Sequence, residues 1–194
     1  MTYRPTLAVS LFLSGVAIAA CSKQAEQPEG NVAEPPAVAE SAAAPQTIAL
    51  TGTDGRPVGT VTLSEDANGV TIKVDASAIP SGTHGVHLHE KGLCEGPKFE
   101  SAGAHWNPMS KQHGRDNPMG AHLGDLANFE IGESGTATTS FLVGGVTLNG
   151  SANALADADG TSLVVHAKAD DYKTDPSGNS GDRVACAVLA PPKS

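Results

Sequence analysis

Regular alternation of apolar and polar residues is the feature that most restricts the fold of this chain. Val70, Ile72 and Val74 alternate with Thr71 and Lys73, which is the period-two pattern of a half-buried strand. No segment after the first twenty residues has the pattern of an amphipathic helix. Similar short runs, each ended by Gly, Asn or Asp, occur near 47–53, 57–64, 84–90, 124–131, 135–143, 162–168 and 183–189. These eight runs predict an all-β domain, an antiparallel sandwich or barrel.

The connections between the predicted strands are of two kinds. The segments TDGRP (53–57) and DANG (66–69) have the composition of tight hairpin turns, because Gly and Asn tolerate positive φ. Residues 91–121 and 169–182 are longer, rich in Gly, Pro, Asn and Asp, and too irregular for strands. Loops of this length in a compact domain are usually functional or disordered. The first contains His105 and His113, so we expect it to be functional.

The N-terminus has the features of a secretory signal. Residues 1–20 contain one positive charge, Arg4, then an apolar run that is too short to cross a bilayer, then small residues. Residues 18–21, IAAC, resemble the bacterial lipoprotein cleavage box, in which Cys21 becomes the lipidated first residue of the mature protein. The alternative is an ordinary signal cleaved after Ala20. We favour lipidation because a third cysteine would otherwise be an odd thiol in an oxidising compartment.

Residues 21–46 and 47–194 differ sharply in composition. After Cys21, the first segment is rich in Ala, Pro, Glu and Gln and has no aromatic residue. It is predicted to be a disordered tether that spans roughly 25 to 30 Å. The second segment has the length of one folded domain. Removal of the signal takes away Arg4 and no acid, so the formal charge changes from −9 to −10. An acidic chain argues against nucleic acid as a partner.

Two of the seven histidines, His87 and His89, lie one residue apart on a predicted strand. Side chains on a strand alternate between faces, so both rings point the same way and can reach one metal ion. A single pair of this kind is weak evidence for a metal site. His84 falls on the face of Val86 and Leu88, which point into the core. We therefore predict that His84 is a packed and hydrogen-bonded histidine.

A second group of candidate ligands follows in the first long loop and just after it. His105, His113 and His122, with Asp125 three residues later, supply three imidazoles and one carboxylate. These groups form a complete tetrahedral set for Zn²⁺. Solvated loop histidines are the alternative for any one of them. His166 lies in the strand-like run SLVVH, and taken alone it is predicted to be a core residue.

Taken together, these motifs resemble those of copper-zinc superoxide dismutase, in the same order and spacing, over about residues 47 to 190. The motifs are GVHLH (85–89), GAHWNP (103–108), His113, AHLGDL (121–126), LVVHAKADD (163–171) and GDRVACAV (181–188).

The resemblance implies an eight-stranded antiparallel Greek-key barrel that holds one copper and one zinc per subunit. His105 would bridge both metals as an imidazolate, with one ring nitrogen on each ion. The copper ligands implied are His87, His89, His105 and His166, and the zinc ligands implied are His105, His113, His122 and Asp125.

The resemblance also assigns residues around the metals. Asp170 would link the copper ligand His87 to the zinc ligand His113, although the neighbouring Asp171 leaves the choice of carboxylate open. Arg183 would attract and orient superoxide beside copper, its alternative being an ordinary surface arginine.

Two acidic residues affect the electrostatics expected around Arg183. Asp182 stands where we expect a small residue, and Asp175 is close in the same loop, so steering is expected to depend on Lys168 or Lys173.

Cys94 and Cys186 would form a disulfide that stabilises the fold by about 4 to 5 kcal/mol in the chain-entropy model.

The function implied is dismutation of superoxide to O₂ and H₂O₂, in which copper alternates between two oxidation states and His105 carries a proton. The expected location is the bacterial cell envelope, with a lipid anchor at Cys21 in the outer rather than the inner membrane, and a homodimer is allowed. One alternative is a non-catalytic copper- and zinc-binding envelope lipoprotein of the same fold. The other is a structural β-sandwich in which the histidines bind nothing.

Overall fold

The structure is a computed structural model that describes residues 45–150 and 152–194. The predicted signal (1–20), Cys21 and nearly all of the predicted tether (21–46) lie outside the described residues. Within the described part of the chain, no helix is long and apolar enough to cross a membrane.

The described residues form nine strands and a single turn of 3-10 helix. One more strand is present than the eight predicted, because the run near 84–90 is divided at Gly85. The other predicted runs each correspond to a strand. The strands are β1 (Gln46–Gly52), β2 (Pro57–Asp66), β3 (Gly69–Ala76), β4 (Gly82–His84), β5 (Val86–His89), β6 (Phe129–Ile131), β7 (Ala137–Gly144), β8 (Thr161–His166) and β9 (Arg183–Ala190).

Seven of the strands form one antiparallel sheet in the order β5-β8-β9-β1-β2-β3-β7, and β4 pairs with β6. The strands β1, β2 and β3 are joined by the two predicted hairpin turns, and β2 and β3 pair along their whole length from Gly59↔Ala76 to Asp66↔Gly69. The chain then crosses to β4 before β7 returns to pair with β3, and β9 returns to pair with β1. Such long returns are the connections of a Greek key.

Alternate residues of these strands build one apolar core. Val70, Ile72 and Val74 are fully buried in it, as the period-two pattern predicts. Val86 and Leu88 of β5 belong to the same core. The strand therefore directs its two intervening histidines away from the core and toward the long loops.

The two long predicted loops are present as irregular connections, from β5 to β6 and from β8 to β9. The predicted strand near 124–131 is shorter than expected, since β6 covers only Phe129–Ile131. Residues 124–126 instead bond to the free edge of β5, where Leu88 N–H donates to Gly124 O and Leu126 N–H donates to Val86 O. This pairing brings Asp125 opposite His87.

Candidate metal centre

Strand β5 and its neighbour β8 bring together three of the histidines predicted to bind copper. His87 and His89 are buried on the loop-facing side of β5. His166 ends β8, which pairs antiparallel with β5. The fourth histidine, His105, reaches the same place from the long loop, where its backbone pairs with that of His89 in an isolated antiparallel β-bridge.

The four rings converge through nitrogens that have no hydrogen-bond partner. His87 presents Nδ1, and His89, His105 and His166 each present Nε2. One ligand atom from each ring lies within 4.8 Å of all the others. Leaving a buried polar atom unpaired costs about 1 to 3 kcal/mol, so four in one place indicate a site for a shared cation. Imidazole nitrogen suits copper, and the donor set therefore fits it.

The predicted zinc ligands converge on a single carboxylate oxygen. The Nδ1 atoms of His105 and His113 each lie 3.0 Å from Asp125 Oδ1, and Nδ1 of His122 lies 3.1 Å from it. Three ring nitrogens exceed the two lone pairs of that oxygen. A tetrahedral Zn²⁺ surrounded by the four atoms accounts for the arrangement, and this donor set fits zinc.

Asp125 is also held from the loop backbone. Its Oδ2 accepts the N–H of Gly114 at 2.9 Å and the N–H of His122 at 3.0 Å. Ligand atoms of His87, His105, His113 and Asp125 all lie within 4.8 Å of one another, whereas His122 is not part of that group and joins it through Asp125. The Nε2 of His87 is hydrogen-bonded to Asp170, however, and its unpaired Nδ1 belongs with the copper set.

His87 and His105 belong to both groups, and of these two His105 is the one whose second nitrogen lies against the zinc-side carboxylate Asp125. Its Nδ1 makes this contact, and its Nε2 is among the four unpaired nitrogens. One imidazole ring is thus oriented with one nitrogen toward each candidate metal position.

Burial keeps the copper-side histidines neutral. Desolvation lowers the pKa of His105 to about 4 and that of His166 to about 3, and it lowers the pKa values of His87 and His89. A neutral imidazole offers the lone pair that a metal needs. These rings are therefore ready to bind a metal at neutral pH without first losing a proton.

The pKa of His113 is shifted in the opposite direction. Burial alone would lower its pKa, but hydrogen bonds to Asp125 and Asp170 outweigh that effect and raise the pKa to about 9. The same interactions overcome the effect of burial on both carboxyls and hold their pKa values well below the usual range. Without zinc, a charged imidazolium lies between two carboxylates.

Asp170, rather than its neighbour Asp171, lies between the two metal groups. Its Oδ2 accepts from His87 Nε2 at 2.8 Å, and its Oδ1 accepts from His113 Nε2 at 3.0 Å. Asp171 is exposed and bonds within its own loop. A Cβ at Gly178, where φ is 64°, would collide with Asp170 Oδ1, so glycine is needed at this position.

Arg183 lies directly opposite His166 in the β8–β9 pairing. Its guanidinium donates to the carbonyls of Phe99 and Gly103, at 2.6 Å in each case. The Gly103 carbonyl also accepts from His89 Nδ1 at 3.0 Å. One carbonyl therefore orients both a candidate copper ligand and the arginine.

A cavity of about 480 Å³ opens beside this arginine. Its lining carries charges of both signs, since Lys98, Glu100 and Asp182 all contribute to it. Asp175, which we expected to oppose Arg183, instead accepts the His113 backbone N–H at 2.6 Å and holds the loop.

The predicted disulfide between Cys94 and Cys186 is present. It connects the first long loop to β9, and Cys186 packs with Phe99 in a small separate apolar cluster. Because the Phe99 carbonyl holds Arg183, the disulfide supports the position of the arginine.

His84 is outside the metal groups, as predicted. It is buried, with Nδ1 against the His166 carbonyl at 2.7 Å and Nε2 against the Pro80 carbonyl at 2.9 Å.

Comparison with known proteins identifies the family of this chain. The family model described as copper/zinc superoxide dismutase matches residues 58–189, more than half of the chain. The chain belongs to the copper/zinc superoxide dismutase family. Among curated members, the Cu-Zn superoxide dismutase of Caulobacter vibrioides is 44% identical over 139 residues, which cover 70% of this chain and 80% of that protein.

Two relatives from Bacillus subtilis extend the comparison within the superoxide dismutase family. The superoxide dismutase-like protein YojM is 37% identical over 186 residues, covering 94% of this chain and 95% of that protein. The crystal structure of a SOD-like protein from the same organism has a TM-score of 0.72 at 40% identity, covering 75% of this chain and 99% of that chain. The Greek-key barrel predicted from the sequence is thereby confirmed.

Sequence reasoning missed three residues around the centre of this superoxide dismutase family member. Gly178 gives Asp170 its space, while Asn128 and Tyr172 hold the segment that carries it. Tyr172 had a signal, because it is the only tyrosine after residue 20 and lies in an otherwise polar loop.

Proposed function

We propose that this protein dismutates superoxide to O₂ and H₂O₂ at a copper ion that shares the His105 ring with a zinc ion. The observation that carries the proposal is the convergence of four buried, unpaired ring nitrogens within 4.8 Å, one of them from a ring that also faces the zinc group. The copper set is His87, His89, His105 and His166, and the zinc set is His105, His113, His122 and Asp125.

Bound copper supplies one-electron chemistry by accepting an electron from one superoxide and giving it to another. The protein residues bring the anion in and supply one proton. Arg183, fixed by two carbonyls, attracts and orients superoxide through its permanent charge. His105 would take up a proton at Nε2 in one half of the cycle and give it to the peroxide formed in the other, and the second proton of H₂O₂ would come from water.

The test measures metal content and superoxide-dismutating activity on the same copper- and zinc-repleted sample. Arg183→Ala should keep both metals and lose at least about tenfold in kcat/KM, because only the attraction of the anion is removed. Arg183→Lys should recover part of the rate. Arg56→Ala removes an equal charge from an exposed hairpin turn and serves as the matched control, with unchanged kcat/KM.

A second candidate function is metal binding without turnover, since one relative is named only as superoxide dismutase-like. Full copper and zinc loading with negligible activity would favour it. Absence of stoichiometric metal would reject both functions and favour a structural β-sandwich.

The shared ring is tested by counting protons. In the zinc-loaded protein the last ring proton of His105 lies on Nε2, and copper binding displaces it if the ring is shared. Calorimetric titration with copper in two buffers of different ionisation enthalpy should show release of about one proton. Release of none would contradict the bridge.

The location proposed is the cell envelope, with the chain anchored by lipid at Cys21. The proposal is supported by the IAAC segment and by the Cys94–Cys186 disulfide, because disulfides persist in oxidising compartments. Mass spectrometry of the mature N-terminus should find acyl chains on Cys21 and none after Cys21→Ala. Fractionation should place the wild type with the outer membrane, and recovery in the inner membrane would reject that part of the proposal.

The resemblance allows a homodimer, and the molar mass from light scattering on the purified protein tests for it. A mass of two chains supports it, and a mass of one chain rejects it.

A further inference from the structure

Tyr172 lies where three segments of the metal centre meet. Its backbone N–H donates to Asp170 Oδ1 at 2.6 Å, the oxygen that also accepts from His113. Its carbonyl accepts the N–H of Asp116 at 2.9 Å. Its phenol oxygen accepts the N–H of Asn128 at 2.7 Å. One residue therefore bonds to the carboxylate between the metal groups, to the loop that carries His113 and to the segment that follows Asp125.

Asn128 completes a closed set of hydrogen bonds around Asp170. Its side-chain amide donates to the Asp170 carbonyl at 2.9 Å, and its side-chain oxygen accepts the Asp170 N–H at 2.8 Å. The position of the Asp170 backbone is thus set by Asn128. The position of the Asn128 backbone is set in turn by the phenol of Tyr172.

The conformation of Tyr172 indicates that its surroundings hold it in place. Its φ is 60°, a left-handed value that is unusual for a bulky residue with a Cβ and persists only where neighbouring contacts impose it. The left-handed turn directs the Tyr172 N–H to the Asp170 carboxylate. A Cβ at Gly114 would collide with the Tyr172 carbonyl, so the two loops meet without space for another side chain.

Arg115 covers the aromatic ring from the solvent side. Its guanidinium carbon lies 3.7 Å from the centroid of the Tyr172 ring, within the range of a cation–π interaction. Arg115 belongs to the loop of His113, and Tyr172 belongs to the loop of Asp170. The stacked pair therefore joins the zinc-side loop to the loop whose carboxylate contacts the copper-side His87.

We propose that Tyr172, held in place by Arg115, is a positioning residue that keeps Asp170 seated between His87 and His113 and thereby limits the rate at which zinc leaves the protein. The inference rests on the proposed metal centre. Loss of the stack or of the phenol frees Asn128 and Asp170, so His113 loses the carboxylate that fixes its ring. Mutation of a residue that holds a metal ligand in place typically weakens metal binding by 10- to 100-fold.

The test measures zinc transfer from the copper- and zinc-loaded full chain to a colorimetric chelator at 25 °C and pH 7. Tyr172→Phe keeps the ring under Arg115 and removes the acceptor for Asn128. It should release zinc about tenfold faster. Arg115→Gln removes the cation from an exposed position and should give a smaller increase of a few-fold. Arg115→Lys should restore the wild-type rate, and Arg56→Gln is the control for loss of a surface arginine.

A spectroscopic measurement separates positioning from general stability. Cobalt(II) substituted at the zinc position has visible bands that respond to ligand geometry, so they should shift in Tyr172→Phe and not in Arg56→Gln. A residue that only stabilises the fold would lower the thermal midpoint and leave the cobalt bands and the 25 °C release rate unchanged. That result would overturn the inference.

The outcomes distinguish this inference from the proposed function. A wild-type protein loaded with both metals and active, alongside variants with wild-type zinc release, overturns the role of Tyr172 and leaves the function standing. A wild-type protein that takes up no stoichiometric zinc or copper overturns both.

Discussion

At the scale of single residues, the two halves of the metal centre differ in how many protons they hold. Burial lowers the pKa values of the copper-side rings and outweighs the hydrogen bonds of His87 to Asp170 and of His105 to Asp125. His113 lies between the same two carboxylates, and its pKa is raised to about 9. A metal binds only the deprotonated ring. Zinc must therefore displace a proton from His113 at neutral pH.

We expect zinc binding to the metal-free protein to release about one proton from His113 at pH 7. Apparent zinc affinity should accordingly rise about tenfold per pH unit up to about pH 9 and then level off. Calorimetric titrations in buffers of different ionisation enthalpy, at several pH values, measure both quantities. An affinity that does not change between pH 7 and 9 would show that His113 is already neutral.

Asp182 is a second residue whose charge affects the site. It is exposed and directly precedes Arg183, so it weakens the positive field that a superoxide anion meets. Asp182→Ser should raise kcat/KM by about two- to fivefold at low ionic strength, and the gain should shrink as salt screens the charges. The measurement is pulse radiolysis or stopped flow over a range of salt concentrations.

Asp159→Asn is the control for that experiment. It removes the same charge beyond Thr161, at the opposite end of β8 from His166. An equal gain in both variants would assign the effect to net charge alone.

At the scale of elements, strands orient the ligands and loops complete the sites. The strand β5 contributes His87 and His89, while its free edge is occupied by loop residues that carry His105 and Asp125. The first loop contributes Trp106 and Leu126 to the main core, and its Phe99 and Ala102 form a small cluster with Val164 of β8 and Cys186 of β9. The disulfide at Cys186 adds a covalent link to this packing.

Removal of the disulfide should therefore affect both stability and the arginine. The double variant Cys94→Ala with Cys186→Ala should lose about 4 to 5 kcal/mol of unfolding free energy in the metal-free state, because a loop of 92 residues is opened. Urea denaturation measures this value. A loss below about 1 kcal/mol would show that strand pairing alone holds β9 and the loop together.

At the scale of the whole molecule, the histidines make the stability of the metal-free fold depend on pH in opposite directions. The copper-side rings bind protons in the unfolded chain below pH 6.5, their ordinary pKa, but remain neutral in the fold down to about pH 4 for His105 and about pH 3 for His166. Unfolding is therefore favoured as the pH falls through this range. His113 gives the reverse effect, because the fold binds its proton more tightly than the unfolded chain between pH 6.5 and about 9.

We expect the metal-free protein to be most stable near pH 6.5 and less stable at both pH 4.5 and pH 8.5. Urea midpoints at the three pH values, after complete chelation, test this expectation. Stability that rises toward pH 4.5 would contradict the neutral state of the buried rings. Bound copper and zinc should raise the midpoint at every pH where the ligands hold them, because the assembled sites of the folded form bind them more tightly than the unfolded chain does.

The fold was largely predictable because its information is local. Alternation such as that of Val70, Ile72 and Val74 follows from the pleat of a strand, and the turn residues follow from backbone conformation. The division of the 84–90 run at Gly85 and the shortened β6 were not predicted. The run divides at Gly85 because β4 pairs with β6 whereas β5 pairs with β8, and β6 is short because residues 124–126 pair with the edge of β5. Such pairing over long separations has no local signature.

The sequence by itself predicted where most strands lie along the chain and which residues are candidate metal ligands, because alternation and side-chain chemistry are local properties. The division of those ligands between two ions was implied by the resemblance to the copper-zinc superoxide dismutase family. Only the tertiary structure decided that Asp170 rather than Asp171 contacts both rings, that Asp175 supports His113, and that Tyr172 joins the two loops. The physical reason is separation along the chain. Asp170 meets a histidine 83 residues away, and that contact exists only once the barrel has brought both loops to one end of β5 and β8.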